Sequence, residues 1–146
     1  MSSELPSLIE KGIGAAEKGQ TLMALVHLEA AAKIRKTPTV FSYLAYCLAQ
    51  EGSRMPRAVS LCRSALQAEP HNPVHYLNFG RVYLLSGQKS RAIQTFRKGL
   101  KVGKNPLIIK ELKKLGIRRA PLLKSLPRDN PLNKYLGLFF HRLGVR

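Results

Sequence analysis

The chain has 146 residues, 45% of them apolar, which is enough to bury one core without help from a metal or disulfides. No stretch approaches the roughly 18 consecutive apolar residues of a membrane-spanning helix, and the two cysteines come without a secretory leader, so a soluble chain in a reducing cytoplasm is expected. The 25 Lys and Arg against 8 Asp and Glu give a formal charge of +17, which favours nucleic acid, an anionic membrane or an acidic protein as partner without choosing among them.

In chain order, Leu8, Gly12 and Ala15, then Gly19, then Ala24, Leu28 and Ala31 outline a helix, a turn and a helix. Lys11 stands where an apolar side chain would suit the pattern better. The outline returns in FSYLAYCLAQEGSRMPRAVSLCRSALQAEP from Phe41: Leu44, Ala45 and Leu48 mark one helix, Gly52 ends it, Ala58, Cys62 and Ala65 mark the next, and Pro70 stops it. It returns again in YLNFGRVYLLSGQKSRAIQTFRKGLKVGKN. There Tyr76, Phe79, Gly80 and Tyr83 share one helical face, Gly87 takes the left-handed terminating place, and Ala92, Phe96 and Gly99 form a narrow, close-packing stripe.

Asn105 and Pro106 form a cap and first-turn proline ahead of LIIKELKKLG, a seventh helix reaching toward Gly116. After the irregular IRRAPLLKSLPRDN, Asn130 and Pro131 repeat that signature before LNKYLGLFFHRLG. This predicts a short, strongly apolar eighth helix that folds back on the same domain, with self-association through residues 131–143 or contact with a membrane surface as alternatives.

The marker residues resemble the tetratricopeptide repeat, a unit of 34 residues made of two antiparallel helices. The resemblance implies an all-α fold, a right-handed superhelical stack of αα-hairpins with about eight helices, bacterial in style for its compactness. The expected organisation is a domain over residues 1–116, with repeats at about 5–37, 38–72 and 73–106 and a capping helix at 106–115, followed by a basic segment over 117–146. Leu44 and Phe79 are 35 residues apart, so one extra residue is expected in the turn at 52–57, where an insertion is cheap. Three units are about the minimum for a stable stack, because each hairpin buries its apolar face only against a neighbour.

No catalytic constellation is visible, and the chain is read as a non-enzyme without cofactor or metal. Cys47 and Cys62 fall on packing stripes, where cysteine serves as a small hydrophobe. His27, His71, His75 and His141 have no His or Cys partner at helical spacing. Glu10, Glu17 and Glu29 sit among lysines as on ordinary solvated helix faces. The fragment SGQKSRA lacks the spacing of a phosphate loop and reads as the third repeat's turn.

The resemblance further implies a concave groove, lined by the first helix of each hairpin, that receives an extended or helical segment of a partner protein. Counted from Phe41 and Tyr76 as equivalent positions, the inward places are Thr39, Ser42, Tyr43, Tyr46 and Gln50, then Val74, Leu77, Asn78, Arg81, Leu84 and Leu85. Tyr43, Tyr46 and Arg81 are the strongest candidates, since tyrosine and arginine dominate binding surfaces; Gln50, Asn78 and Leu85 complete the set. Some family members clamp an acidic chaperone tail with Lys and Asn. Here only Asn78 fits that clamp, while Ile9, Ile13, Ser42 and Tyr46 occupy its other places, so a less acidic ligand is expected. The reading is therefore a cytoplasmic protein-binding adaptor. The alternative is nucleic-acid or anionic-membrane binding through the basic C-terminal third, with Lys110, Lys113, Lys114, Arg118, Arg119, Lys124 and Arg128 as phosphate contacts.

Overall fold

The computed structural model of the chain describes residues 4–52 and 54–117. Over those residues it holds seven helices and no strand: α1 (Glu4–Glu17), α2 (Thr21–Ile34), α3 (Pro38–Glu51), α4 (Met55–Ala68), α5 (Pro73–Leu85), α6 (Lys89–Val102) and α7 (Pro106–Lys114). The eighth helix expected after Asn130 lies outside the described residues, as do Arg118, Arg119, Lys124 and Arg128.

Local chemistry sets the helix ends. Three of the helices begin with a capping side chain followed by proline at the first turn, where the missing N–H costs nothing. Thr37 Oγ1 accepts from the Val40 N–H, Asn72 Oδ1 from Val74, and Asn105 Oδ1 from both Leu107 and Ile108. Gly19, Gly52 and Gly87 close α1, α3 and α5 with φ of 79°, 86° and 80°, a left-handed backbone in which a Cβ would be strained. Gly52 precedes Ala58 by six residues and Gly87 precedes Ala92 by five, which places the extra residue of the second repeat between Gly52 and Ala58.

The helices pair as hairpins α1/α2, α3/α4 and α5/α6, and the second helix of each packs onto the first helix of the next: α2 on α3, α4 on α5, α6 on α7. The first helices also meet directly, α1 with α3 and α3 with α5, while the second helices form a separate outer row. The result is a helical solenoid with an inner layer of first helices. Its core falls in two main clusters, one around Leu28, Leu44 and Leu48, the other around Leu77, Phe96, Leu100, Ile108 and Leu112. Cys47 and Cys62 are buried in the first, and loss of solvation pushes the Cys47 thiol up to about 12 and raises that of Cys62 as well. Both stay protonated and serve as packing groups.

The face expected from Tyr76, Phe79, Gly80 and Tyr83 is buried at its centre and open at its rims. Phe79 and Gly80 are covered, whereas Tyr76 and Tyr83 are half-buried. The Phe79 and Tyr83 rings stack with centroids 4.5 Å apart, and Tyr76 donates its O–H to the Pro70 carbonyl at 2.9 Å.

Small residues let the paired helices approach closely. A Cβ on Gly80 would fall on the Phe96 ring, and one on Gly99 would come within 2.7 Å of both Tyr76 Cβ and Ile108 Cδ1. Gly14 in α1, by contrast, has nothing within 4 Å of the place a Cβ would occupy. Gly80→Ala is therefore expected to cost about 1–3 kcal/mol through overpacking. Gly14→Ala, which only removes backbone freedom from a helix interior, is expected to gain about 0.5–1 kcal/mol. Urea melts of the two variants check both signs.

Candidate functional site

On the inner layer, α1, α3, α5 and α7 each send one or more polar side chains toward a common point, and Arg81 of α5 stands at that point. Its guanidinium forks onto Glu17 of α1 with Nη1–Oε2 and Nη2–Oε1 both at 2.8 Å, and donates from Nε to Glu111 Oε2 of α7 at 2.8 Å. Nη1 also reaches Asn78 Oδ1 at 3.1 Å. Tyr43 of α3 donates to Glu17 Oε2 at 2.9 Å, and Asn78 donates to Ser42 Oγ at 2.9 Å. The Arg81 guanidinium carbon lies 4.6 Å from the centroid of the Tyr46 ring, and the Tyr46 hydroxyl accepts from Gln50 Nε2 at 2.9 Å.

Burial makes this cluster costly to break. Arg81 is only 5% exposed, so removing either carboxylate would strand its charge in a poorly solvated place. Loss of solvation opposes the charged guanidinium, but the hydrogen bonds and charge of Glu17, with the contact to Glu111, more than offset it and hold Arg81 firmly protonated. Burial likewise disfavours the Glu17 carboxylate. Against that, the Arg81 hydrogen bonds and charge, the Tyr43 hydroxyl and the nearby Lys110 bring its pKa below the ordinary 4.5. Burial and the adjacent Glu17 charge push the Tyr43 phenol well upward, so it remains a donor.

Five of the six groove candidates fall within this network or at its edge, but three of them are closed rather than open. Tyr43, Asn78 and Arg81 are buried, as are Ser42 and Leu77 from the wider inward set. Ser42 and Asn78 face each other across α3 and α5, while Leu77 packs into the core cluster shared by α5, α6 and α7. Tyr46 is half-buried, Gln50 is exposed and Leu85 is 42% exposed, so the accessible part of the inner face lies at the C-terminal ends of α3 and α5.

Glu17 corrects the expectation of a solvated carboxylate: its side chain is 24% exposed and fully engaged with α5. Together with Glu111 it was not among the candidates. One signal for them was present, since Arg81 is the one Lys or Arg in PVHYLNFGRVYLL and must find a counterion if buried. Of the basic candidates on α7, Lys110, Lys113 and Lys114 are exposed. Lys110 lies near enough to lower the Glu17 pKa, and Lys114 Nζ is 3.9 Å from Glu111 Oε1. Among the described residues no three His, Cys, Asp or Glu side chains converge as metal donors would.

Residues 53–113 match a family model described as tetratricopeptide repeat, a span that covers α4, α5, α6 and nearly all of α7. That match covers less than half of the chain and, with the stacked hairpins of the fold, supports a tetratricopeptide-type repeat protein. No curated protein matches the chain. Tetratricopeptide repeats generally mediate protein–protein interaction and are typically scaffolds rather than catalysts. In these repeats the stripes Ala58, Cys62, Ala65 and Ala92, Phe96, Gly99 are the buried faces of the second helices.

The ion cluster links stability to pH. Because the Glu17 pKa is lowered in the folded state, its contribution is fully present above the unfolded value near 4.5 and is lost as pH falls through the folded value. Glu69, hydrogen-bonded to His75 and Asn72, titrates with the same sign but on the surface. Urea melts of wild type and Glu17→Gln from pH 7 down to pH 3 are expected to converge as the solution is acidified; a constant gap would show that Glu17 is not held ionised by Arg81.

Proposed function

We propose that the chain is a non-catalytic adaptor that holds a segment of a partner protein against its inner layer. The observation that carries this reading is the composition of the accessible inner face. Tyr46, backed by the Arg81 guanidinium, lies beside exposed Gln50, and Leu85 takes the place equivalent to Gln50 one repeat later. An aromatic ring held in place by a cation loses little freedom on binding and offers a wide contact area. Gln50 supplies hydrogen-bonding capacity and Leu85 an apolar contact.

Charge shapes the ligand. The carboxylates of Glu17 and Glu111 are balanced by Arg81, with Lys110 and Lys114 close by, and the one Asn that suits an acidic-tail clamp is already bonded to Ser42 and Arg81. A segment of mixed aromatic and apolar character therefore suits this face better than a run of carboxylates.

Variants must separate binding from folding. Arg81→Ala would leave two carboxylates facing each other in a buried site, at a cost of about 3–5 kcal/mol, so loss of capture in that variant would be ambiguous. Gln50→Ala and Leu85→Asp change exposed side chains and are expected to leave the urea midpoint close to that of wild type. Affinity capture from nuclease-treated extract is expected to retain a discrete protein on wild type and to lose it on Leu85→Asp, with a weaker loss on Gln50→Ala. Capture that both variants retain, or that nuclease abolishes, would contradict the reading.

A further inference from the structure

The outer row of helices carries a second surface with its own polarity. Ala24, Ala58 and Ala92 are successive residues of a 34-residue spacing and all are 0% exposed, so positions counted from them take equivalent places on α2, α4 and α6. One residue before each alanine stand Met23, Arg57 and Arg91, all exposed; two residues after it, Val26, Ser60 and Gln94. Five residues after it come Glu29, Arg63 and Arg97, and nine after it Lys33, Gln67 and Lys101. The same outward face thus changes along the solenoid from apolar to basic.

At the apolar end, Leu22 is 71% exposed, Met23 55% and Val26 66%, three large hydrophobic side chains within one turn of α2 left in water. At the basic end, α4 and α6 contain no carboxylate, and Arg57, Arg63, Arg91, Lys98 and Lys101 are all exposed. Glu29 is the one carboxylate on the three outer helices. None of the large exposed hydrophobics lies on α4 or α6.

We propose that this outer face docks on the surface of a bilayer rich in anionic phospholipid, with Leu22, Met23 and Val26 entering the headgroup boundary and the Arg and Lys side chains of α4 and α6 contacting phosphate. A nucleic acid would use the basic end and leave the apolar end in water. A second copy of the chain could cover the apolar end, but it would leave the basic end unneutralised. A bilayer surface answers both, because it offers a shallow apolar layer beneath a sheet of negative charge, and stable peripheral attachment takes both signals. The contact is peripheral: among the described residues no helix is long and apolar enough to cross a membrane.

The test is flotation of the full chain with phosphatidylcholine vesicles, with and without about 30% phosphatidylglycerol, at low and physiological salt. Leu22→Ser/Val26→Ser removes the apolar contact and Arg63→Gln/Lys98→Gln the basic one, at exposed positions where melting is expected to stay unchanged. Wild type should float with anionic vesicles and not with neutral ones, and each double variant should lower the partition by about tenfold. Equal binding to neutral vesicles, or no binding to either, overturns the proposal. So does anionic binding that Leu22→Ser/Val26→Ser leaves intact and that duplex DNA or RNA displaces, which would identify a polyanion site. A dimer that this variant dissolves, without vesicle binding, would assign the patch to a second copy.

Discussion

A single buried guanidinium organises the inner layer of this protein. Arg81 of α5 reaches Glu17 in the first repeat and Glu111 in the helix after the third, so one side chain joins α1, α5 and α7. In a repeat stack each unit ordinarily touches only its neighbours, and stability is close to a sum of unit and interface terms. The Arg81–Glu17 pair spans the first and third repeats and departs from that rule: fraying of the first hairpin exposes a charge in the third. Desolvating one cation and two carboxylates is unfavourable, and the geometry offsets it by bidentate pairing at 2.8 Å, with Tyr43 donating to Glu17 and Asn78 Oδ1 accepting a further guanidinium N–H.

That constraint also decides which inner residues remain for a ligand. Tyr43, Asn78 and Arg81 are consumed in holding the repeats together, and the open surface shifts to Tyr46, Gln50 and Leu85. Among the described residues no such cross-link joins the outer helices, and their polarity follows from which residues each repeat carries at equivalent places. The two faces therefore draw on separate sets of side chains.

The hairpins were legible in the sequence because their causes are local. Gly19, Gly52 and Gly87 supply the left-handed turns, Asn105 a cap, and Ala58, Ala65, Ala92 and Gly99 the close approaches, while the matching caps Thr37 and Asn72 were found only in the structure. Burial within the groove was not legible. Counting positions from Phe41 and Tyr76 locates the inner face but is blind to what a distant helix lays across it, and Glu17 lies 64 residues from Arg81. A carboxylate among lysines on α1 looks like any solvated surface group until the stacking brings it to α5. The exposure of Leu22, Met23 and Val26 was hidden for a related reason: α2 is apolar on nearly every side, so its sequence does not reveal which face the solenoid covers.

The claim that Arg81 couples non-adjacent repeats is tested most directly by a double-mutant cycle on Glu17→Gln and Arg81→Met, read from urea denaturation at neutral pH. The account predicts that the two losses overlap strongly, with a coupling energy of about 1.5–3 kcal/mol. Losses that add to within about 0.5 kcal/mol would mean that the pair contributes nothing jointly, and that the repeats are held by nearest-neighbour packing alone.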